Sequence, residues 1–110
     1  MKAIGIDIIE NERIRKSLKE SFLKKVLSQQ ELEYSKDFSE NRMVEFVAGR
    51  FACKEAIIKC ISEYEIPELN QLDIFNDEKG KPHIRYKDYR LLISISHEKN
   101  YSVATALLDE

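Results

Sequence analysis

Between Glu45 and Ile61 the chain reads EFVAGRFACKEAIIKCI, a stretch without proline and with one glycine, built mostly from residues that tolerate a helix. Set at about 3.6 residues per turn, its apolar positions (Phe46, Val47, Phe51, Cys53, Ile57, Ile58, Cys60 and Ile61) spread nearly all the way round. A helix patterned in this way is buried on most of its surface, against its own sheet and, where one exists, a neighbouring subunit. The polar exceptions are Arg50, Lys54, Glu55 and Lys59. Glu55 and Lys59 stand four apart in the favourable order, so an ordinary helix ion pair accounts for their spacing. Their apolar surroundings point further, because Glu and Lys are rarely buried unless they are paired or coordinate something.

The rest of the chain alternates more simply. Ile4, Ile6 and Ile8 against Ala3, Gly5 and Asp7 predict a strand over Met1 to Ile9, with the isoleucines on one face and Asp7 on the other. Asp is depleted in strands and costly to bury, so Asp7 marks an exposed face, a cap or a functional site. From Asn11 to Ser28, Ile14, Leu18, Phe22, Leu23, Val26 and Leu27 recur at three- and four-residue steps and predict a helical region. Ser28 reads as the N-cap of a short helix, SQQELEYS, with Glu31 completing a capping box. The polar run from Lys36 to Asn41 reads as a loop before the central helix, whose first turns carry Arg42 and Glu45. Pro67 ends the helical part. Leu72 to Phe75 and His83 to Tyr86 then read as one hairpin, joined by NDEKGKP with Gly80 in the turn. Arg90 to Ser96 and Tyr101 to Leu108 read as a second hairpin, joined by HEKN. The order is that of a single α+β domain over residues 1–110, a mainly antiparallel sheet packed on a long central helix.

Charge changes this picture in one place. Eighteen Lys and Arg against 20 Asp and Glu give a net charge of -2, which argues against a general nucleic-acid binder. Positive charge nevertheless gathers on Arg13, Arg15, Lys16, Lys19, Lys24 and Lys25, a local field that attracts an acidic partner. MKAIGIDII is too short for a signal peptide, and no apolar run is long enough to cross a bilayer, so a cytoplasmic protein without membrane contact is expected. Cys53 and Cys60 lie about 10 Å apart along one helix, too far for a disulfide, and with two His there is no zinc set. Buried thiols filling core space are expected.

Three pieces line up in order: GIDIIENERIR with Gly5, Asp7 and Arg13; the helix from Phe46 through Ala56; and ISISH from Ile93 through His97. A fourth is EKGKP, Glu78 to Pro82. Together they resemble the 4'-phosphopantetheinyl transferase superfamily, specifically its short branch, the holo-acyl-carrier-protein synthases. The likeness spans nearly the whole length. It implies transfer of the phosphopantetheine arm of coenzyme A to a serine of apo-acyl carrier protein, with release of adenosine 3',5'-bisphosphate, as part of fatty acid biosynthesis. The alternative is a relative that grips coenzyme A or a carrier protein without turnover.

The resemblance also assigns roles. It implies that Asp7 and Glu55 hold a Mg2+ ion shared with the coenzyme A pyrophosphate, and that Asp7, Glu55 and Lys59 form the catalytic group. The metal makes physical sense, because Mg2+ takes hard oxygen ligands from one or two carboxylates plus substrate phosphate, and two adjacent carboxylates otherwise repel. Lys59 is implied at the phosphate or pantetheine end, and the acceptor of the serine proton is Glu55 or a metal-bound water. Arg42, Arg50 and His97, with Ser96 and the turn Gly80, Lys81 and Pro82, are implied to bind coenzyme A on its nucleotide half. Read without the motif, His97 is a strand-end histidine with a local hydrogen bond, and Arg42 and Arg50 are surface charges. Arg13, with Arg15, Lys16 and Lys19, is implied to dock the acidic carrier. A chain of half the length of the longer branch is expected to form a homotrimer, with Asp7, Glu55 and Lys59 of one chain facing Arg42, Gly80 and Lys81, or His97 of the next. One departure stands out: family members often carry a glycine-rich segment directly after the central helix, where this chain has ISEYEIPEL.

Overall fold

In the computed structural model, which describes residues 2–109, the elements run β1 (Ala3–Glu10), α1 (Asn11–Lys16), α2 (Glu20–Val26), α3 (Gln29–Ser35), α4 (Glu40–Ile61), β2 (Ile74–Asn76), β3 (Pro82–Ile84), β4 (Arg90–His97) and β5 (Tyr101–Asp109). Strands β1, β5 and β4 form an antiparallel sheet in that order, and β2 and β3 form a separate antiparallel pair. The expected α+β layout of an antiparallel sheet on a long helix is what the chain adopts. Met1, the first residue of the expected first strand, lies outside the described residues.

Register decides what faces α4. Asp7 pairs with Ala104, which pairs with Ile95, and Ile9 pairs with Ser102, which pairs with His97. Side chains alternate along a strand, so these rows and those of Gly5 with Ala106 and Ile93 form the inner face. A Cβ at Gly5 would sit 2.1 Å from the Ala56 carbonyl oxygen, so only glycine lets β1 lie this close to the helix. The isoleucines of β1 take the other side: Ile4, Ile6 and Ile8 are 64%, 59% and 62% exposed, beside Leu92 at 63%.

Several boundaries differ from the sequence reading. The helical region over residues 11–28 breaks into α1 and α2, because the Ser17 hydroxyl bonds back to the Arg13 carbonyl at 3.0 Å and competes with helix continuation. Helix α4 starts at Glu40, inside the expected loop over Lys36 to Asn41, since Ser39 accepts from the Arg42 amide and caps it. Strands β2 and β3 are shifted and shorter than expected: Leu72 precedes β2, and Tyr86 makes only an isolated bridge with Tyr89. Strand β4 gains His97 and β5 gains Asp109.

The capping box at Ser28 is present in both directions, but its glutamate does more than cap. Glu31 is 2% exposed and accepts from the amides of Ser28 and Ile74 and from the ammonium of Lys54, which is 0% exposed. Lys54 also donates to the Val26 carbonyl at 2.7 Å, and the Arg50 Nε lies 3.8 Å from Glu31. A buried charge needs such partners, and here they tie α2, α3, α4 and β2 together. Cys53 and Cys60 are buried free thiols, and burial pushes the Cys53 thiol up to about 12.

Candidate active site

The fold brings Asp7, Glu55 and Lys59 into one group. Asp7 stands on the inner face of β1, one row from the Gly5–Ala56 contact, and Glu55 and Lys59 lie a turn apart on α4. The Lys59 ammonium donates to the Ile6 carbonyl at 2.7 Å and lies 3.5 Å from Asp7 Oδ1. Glu55 titrates above an ordinary glutamate, because partial burial and the nearby Asp7 charge disfavour its ionised form while Lys59 opposes them. Two carboxylates that feel each other beside one ammonium suit a small hard cation and a phosphate. The bland pairing of Glu55 with Lys59 is therefore replaced by a pairing of Lys59 with Asp7.

A second group lies elsewhere on the same helix. Arg50 precedes Glu55 by five residues and so projects about 140° away around α4. It is 7% exposed, not a surface charge: its guanidinium sits 4.5 Å from the Phe46 ring centre and donates to Asn76 Oδ1 at 3.1 Å. Its buried Nε has no hydrogen-bond partner among the described residues. Arg50 lines a cleft of about 680 Å³ with Gln30, Tyr34, Asp73, Phe75 and Arg85. Arg42, about two turns earlier on α4, is exposed and lies 3.7 Å from the centre of the Phe38 ring.

The hairpin and His97 complete the set. Gly80 adopts φ +85°, a left-handed turn backbone, and Asp77 holds the turn by accepting from the amides of Lys79 and Lys81. Asn76 and Pro82 pair at the base of this turn, so the turn stands next to Arg50. His97 ends β4 on the inner face, its ring against Gly49 of α4 and its Nδ1 2.9 Å from Ser102 Oγ. Ser96 is exposed on the opposite, outer face, in the row of Ile8 and Val103. On α1, Arg15 is tied to Glu40 and Asn41, whereas Arg13 and Lys16 are exposed, as is Lys19 at the start of α2.

A family model described as the 4'-phosphopantetheinyl transferase superfamily matches residues 3–106. The chain belongs to this superfamily. Among similar members, the holo-[acyl-carrier-protein] synthase of Staphylococcus carnosus is 39% identical, over 97% of this chain and 96% of its own length. That of Bacillus cereus is 43% identical, over 96% and 93%. The crystal structure of a holo-(acyl-carrier-protein) synthase from Bacillus anthracis in complex with CoA (3',5'-ADP) superposes with a TM-score of 0.88 at 37% identity, covering 97% of this chain and 95% of that one. The Helicobacter pylori enzyme in complex with coenzyme A gives 0.79 at 29%, covering 97% and 100%.

The residues alone did not single out the buried Glu31–Lys54 pair or Asn76, which accepts from Arg50. Glu31 was visible only as a cap, and nothing in a helical repeat distinguishes a buried lysine from a solvated one. The stretch in place of the glycine-rich segment contributes Glu65, which accepts from Tyr86, Tyr89 and Lys87 and so anchors the start of β4.

Proposed function

We propose that this chain transfers the 4'-phosphopantetheine arm of coenzyme A to a serine of apo-acyl carrier protein. The observation that carries the reading is the meeting of Asp7, Glu55 and Lys59 across the β1–α4 contact, in a chain whose relatives are named for this reaction and solved with coenzyme A bound.

Asp7 and Glu55 fit a Mg2+ ion: both offer hard oxygens, and the charge of Asp7 already penalises ionised Glu55, a conflict that a divalent cation removes. Bound there, Mg2+ supplies positive charge to the pyrophosphate as negative charge builds on it. Of the three N–H donors of Lys59 the Ile6 carbonyl takes one, and its charge is paired with Asp7, leaving donors for a phosphate oxygen. Arg50, held by Asn76 and the Phe46 face, and Arg42 on Phe38 present guanidiniums to the nucleotide phosphates, which suit their paired donors. The chain's part in rate is therefore position and charge: serine and phosphorus aligned, and the departing bisphosphate held.

The Asp7 group and the Arg50 group face away from each other, Arg50 projecting about 140° round α4 from Glu55, which favours a site shared between copies. The exposed outer sheet face of Ile4, Ile6, Ile8 and Leu92 supplies an apolar surface for that contact, and the chain assembles as a homotrimer through it. Arg13, with Lys16 and Lys19, forms the docking surface for the acidic carrier. Among the described residues no helix is long and apolar enough to cross a membrane, in keeping with a cytoplasmic reaction. Isothermal titration with coenzyme A, with and without Mg2+, beside a transfer assay, tests the reading: Mg2+-dependent binding with transfer is expected, and binding without transfer makes the chain a binding module instead.

A further inference from the structure

His97 is held by a relay whose hydrogen bonds run in only one direction. Asn11, the first residue of α1, donates from Nδ2 to the carbonyls of Glu98 and Lys99 at 3.1 and 3.2 Å, which fixes its amide with Oδ1 turned to Ser102. The Asn11 Oδ1 is an acceptor only, so the buried Ser102 hydroxyl spends its single hydrogen there, at 2.8 Å. What Ser102 Oγ offers to His97 Nδ1, 2.9 Å away across the β4–β5 pair, is then a lone pair, and Nδ1 must carry the hydrogen. A neutral imidazole has one N–H, so Nε2 is left as the acceptor nitrogen.

We propose that Asn11 and Ser102 are positioning residues that keep the His97 proton on Nδ1 and present Nε2 to an anionic oxygen of the coenzyme A nucleotide. This rests on the role proposed above for His97. The ring, on an otherwise exposed residue, packs against Gly49, where a Cβ would come within 2.6 Å of Cε1. An unprotonated Nε2 repels a phosphate oxygen, so His97 binds the anion only after taking up a proton there, and coenzyme A binding carries that proton uptake with it. The charges acting on the ring both come from α4: Glu45 favours the imidazolium and Arg50 disfavours it. The groups facing it from α1 and β5 are the neutral Asn11 and Ser102. Partial desolvation where the ring meets the helix holds His97 below an ordinary histidine, so the neutral form is the resting one near neutrality.

Nitrogen-15 NMR of the full chain labelled at histidine reads the tautomer directly, with His83→Asn assigning the two histidines. At about pH 8, above the ordinary imidazole range, His97 is expected to show a protonated Nδ1 and a bare Nε2 in the unsubstituted protein. A protonated Nε2 with bare Nδ1, or an even mixture, overturns the proposal without any variant having to fold. Ser102→Ala and Asn11→Leu should release the tautomer and raise KM for coenzyme A about five- to tenfold, more than they lower kcat, as expected for one oriented hydrogen bond. Coenzyme A added near neutrality should protonate Nε2. If the tautomer is as stated and Nε2 stays bare, the positioning by Asn11 and Ser102 stands and the phosphate role of His97 falls.

Discussion

The Lys59 ammonium lies 3.5 Å from a carboxylate oxygen of Asp7, a residue of the first strand reached from the last turns of the central helix. Partial burial, and then the same Asp7 charge, raise the pKa of Glu55, so two acids and one cation share a small volume. Everything proposed about the chemistry depends on that proximity.

The titration of Glu55 reports it. Ionising Glu55 puts a second negative charge beside Asp7, so its carboxyl keeps its proton to a higher pH than the ordinary value of 4.5, and the ionised pair is lost as pH falls through the raised midpoint. Carbon-13 NMR of the side-chain carboxyl in metal-free protein should place the midpoint above 4.5, and Asp7→Asn or added Mg2+ should lower it. A midpoint unmoved by Asp7→Asn would show that the two acids do not interact.

Glu31 is expected to matter for stability before function. Replacing it by glutamine leaves Lys54, 0% exposed, without its counter-charge, and loss of one partner of a buried pair costs about 3–5 kcal/mol. Denaturant unfolding at fixed protein concentration should show a loss of that size, and Glu31→Leu with Lys54→Met should recover part of it. A loss under about 1 kcal/mol would mean that Lys54 finds another partner.

Much of this was legible in the residues. The order of elements followed from periodicity and from Pro67 and Gly80, and Asp7 and Glu55 were out of place enough to be noticed on chemistry alone. What stayed hidden was whatever depends on pairing across the chain. The isoleucine face of β1 was readable, but not that it points outward, because alternation defines two faces without saying which meets the helix. The Asn11–Ser102–His97 relay needs the β4–β5 register, and the Glu31–Lys54 pair needs the packing of α3 on α4. The start of α4 was missed because Ser39 sits in a polar run, where a cap resembles a loop.

A shared site makes a specific claim about mixtures. Glu55→Gln and Arg50→Ala chains, each inactive alone, should regain activity when unfolded together and refolded, since at equal mixing about a quarter of subunit boundaries join an intact acid group to an intact arginine. No recovery would place the whole site in one chain. Ile6→Glu, on the exposed sheet face, should give single-chain mass by light scattering and lose transfer.

Carrier docking should separate from coenzyme A binding. Arg13→Glu reverses an exposed charge and should raise KM for the carrier about tenfold, with an effect that shrinks as salt rises, while KM for coenzyme A holds. Equal changes in both constants would remove Arg13 from the docking surface.

The most direct measurement is mass spectrometry of apo-acyl carrier protein incubated with the chain, coenzyme A and Mg2+. The account predicts that the carrier gains one phosphopantetheine arm on its serine, and that EDTA, Asp7→Asn or Glu55→Gln each slows the gain by at least about a hundredfold in folded protein. An unmodified carrier with the intact chain, under conditions where the Staphylococcus carnosus relative modifies it, or full turnover by either variant, would contradict it.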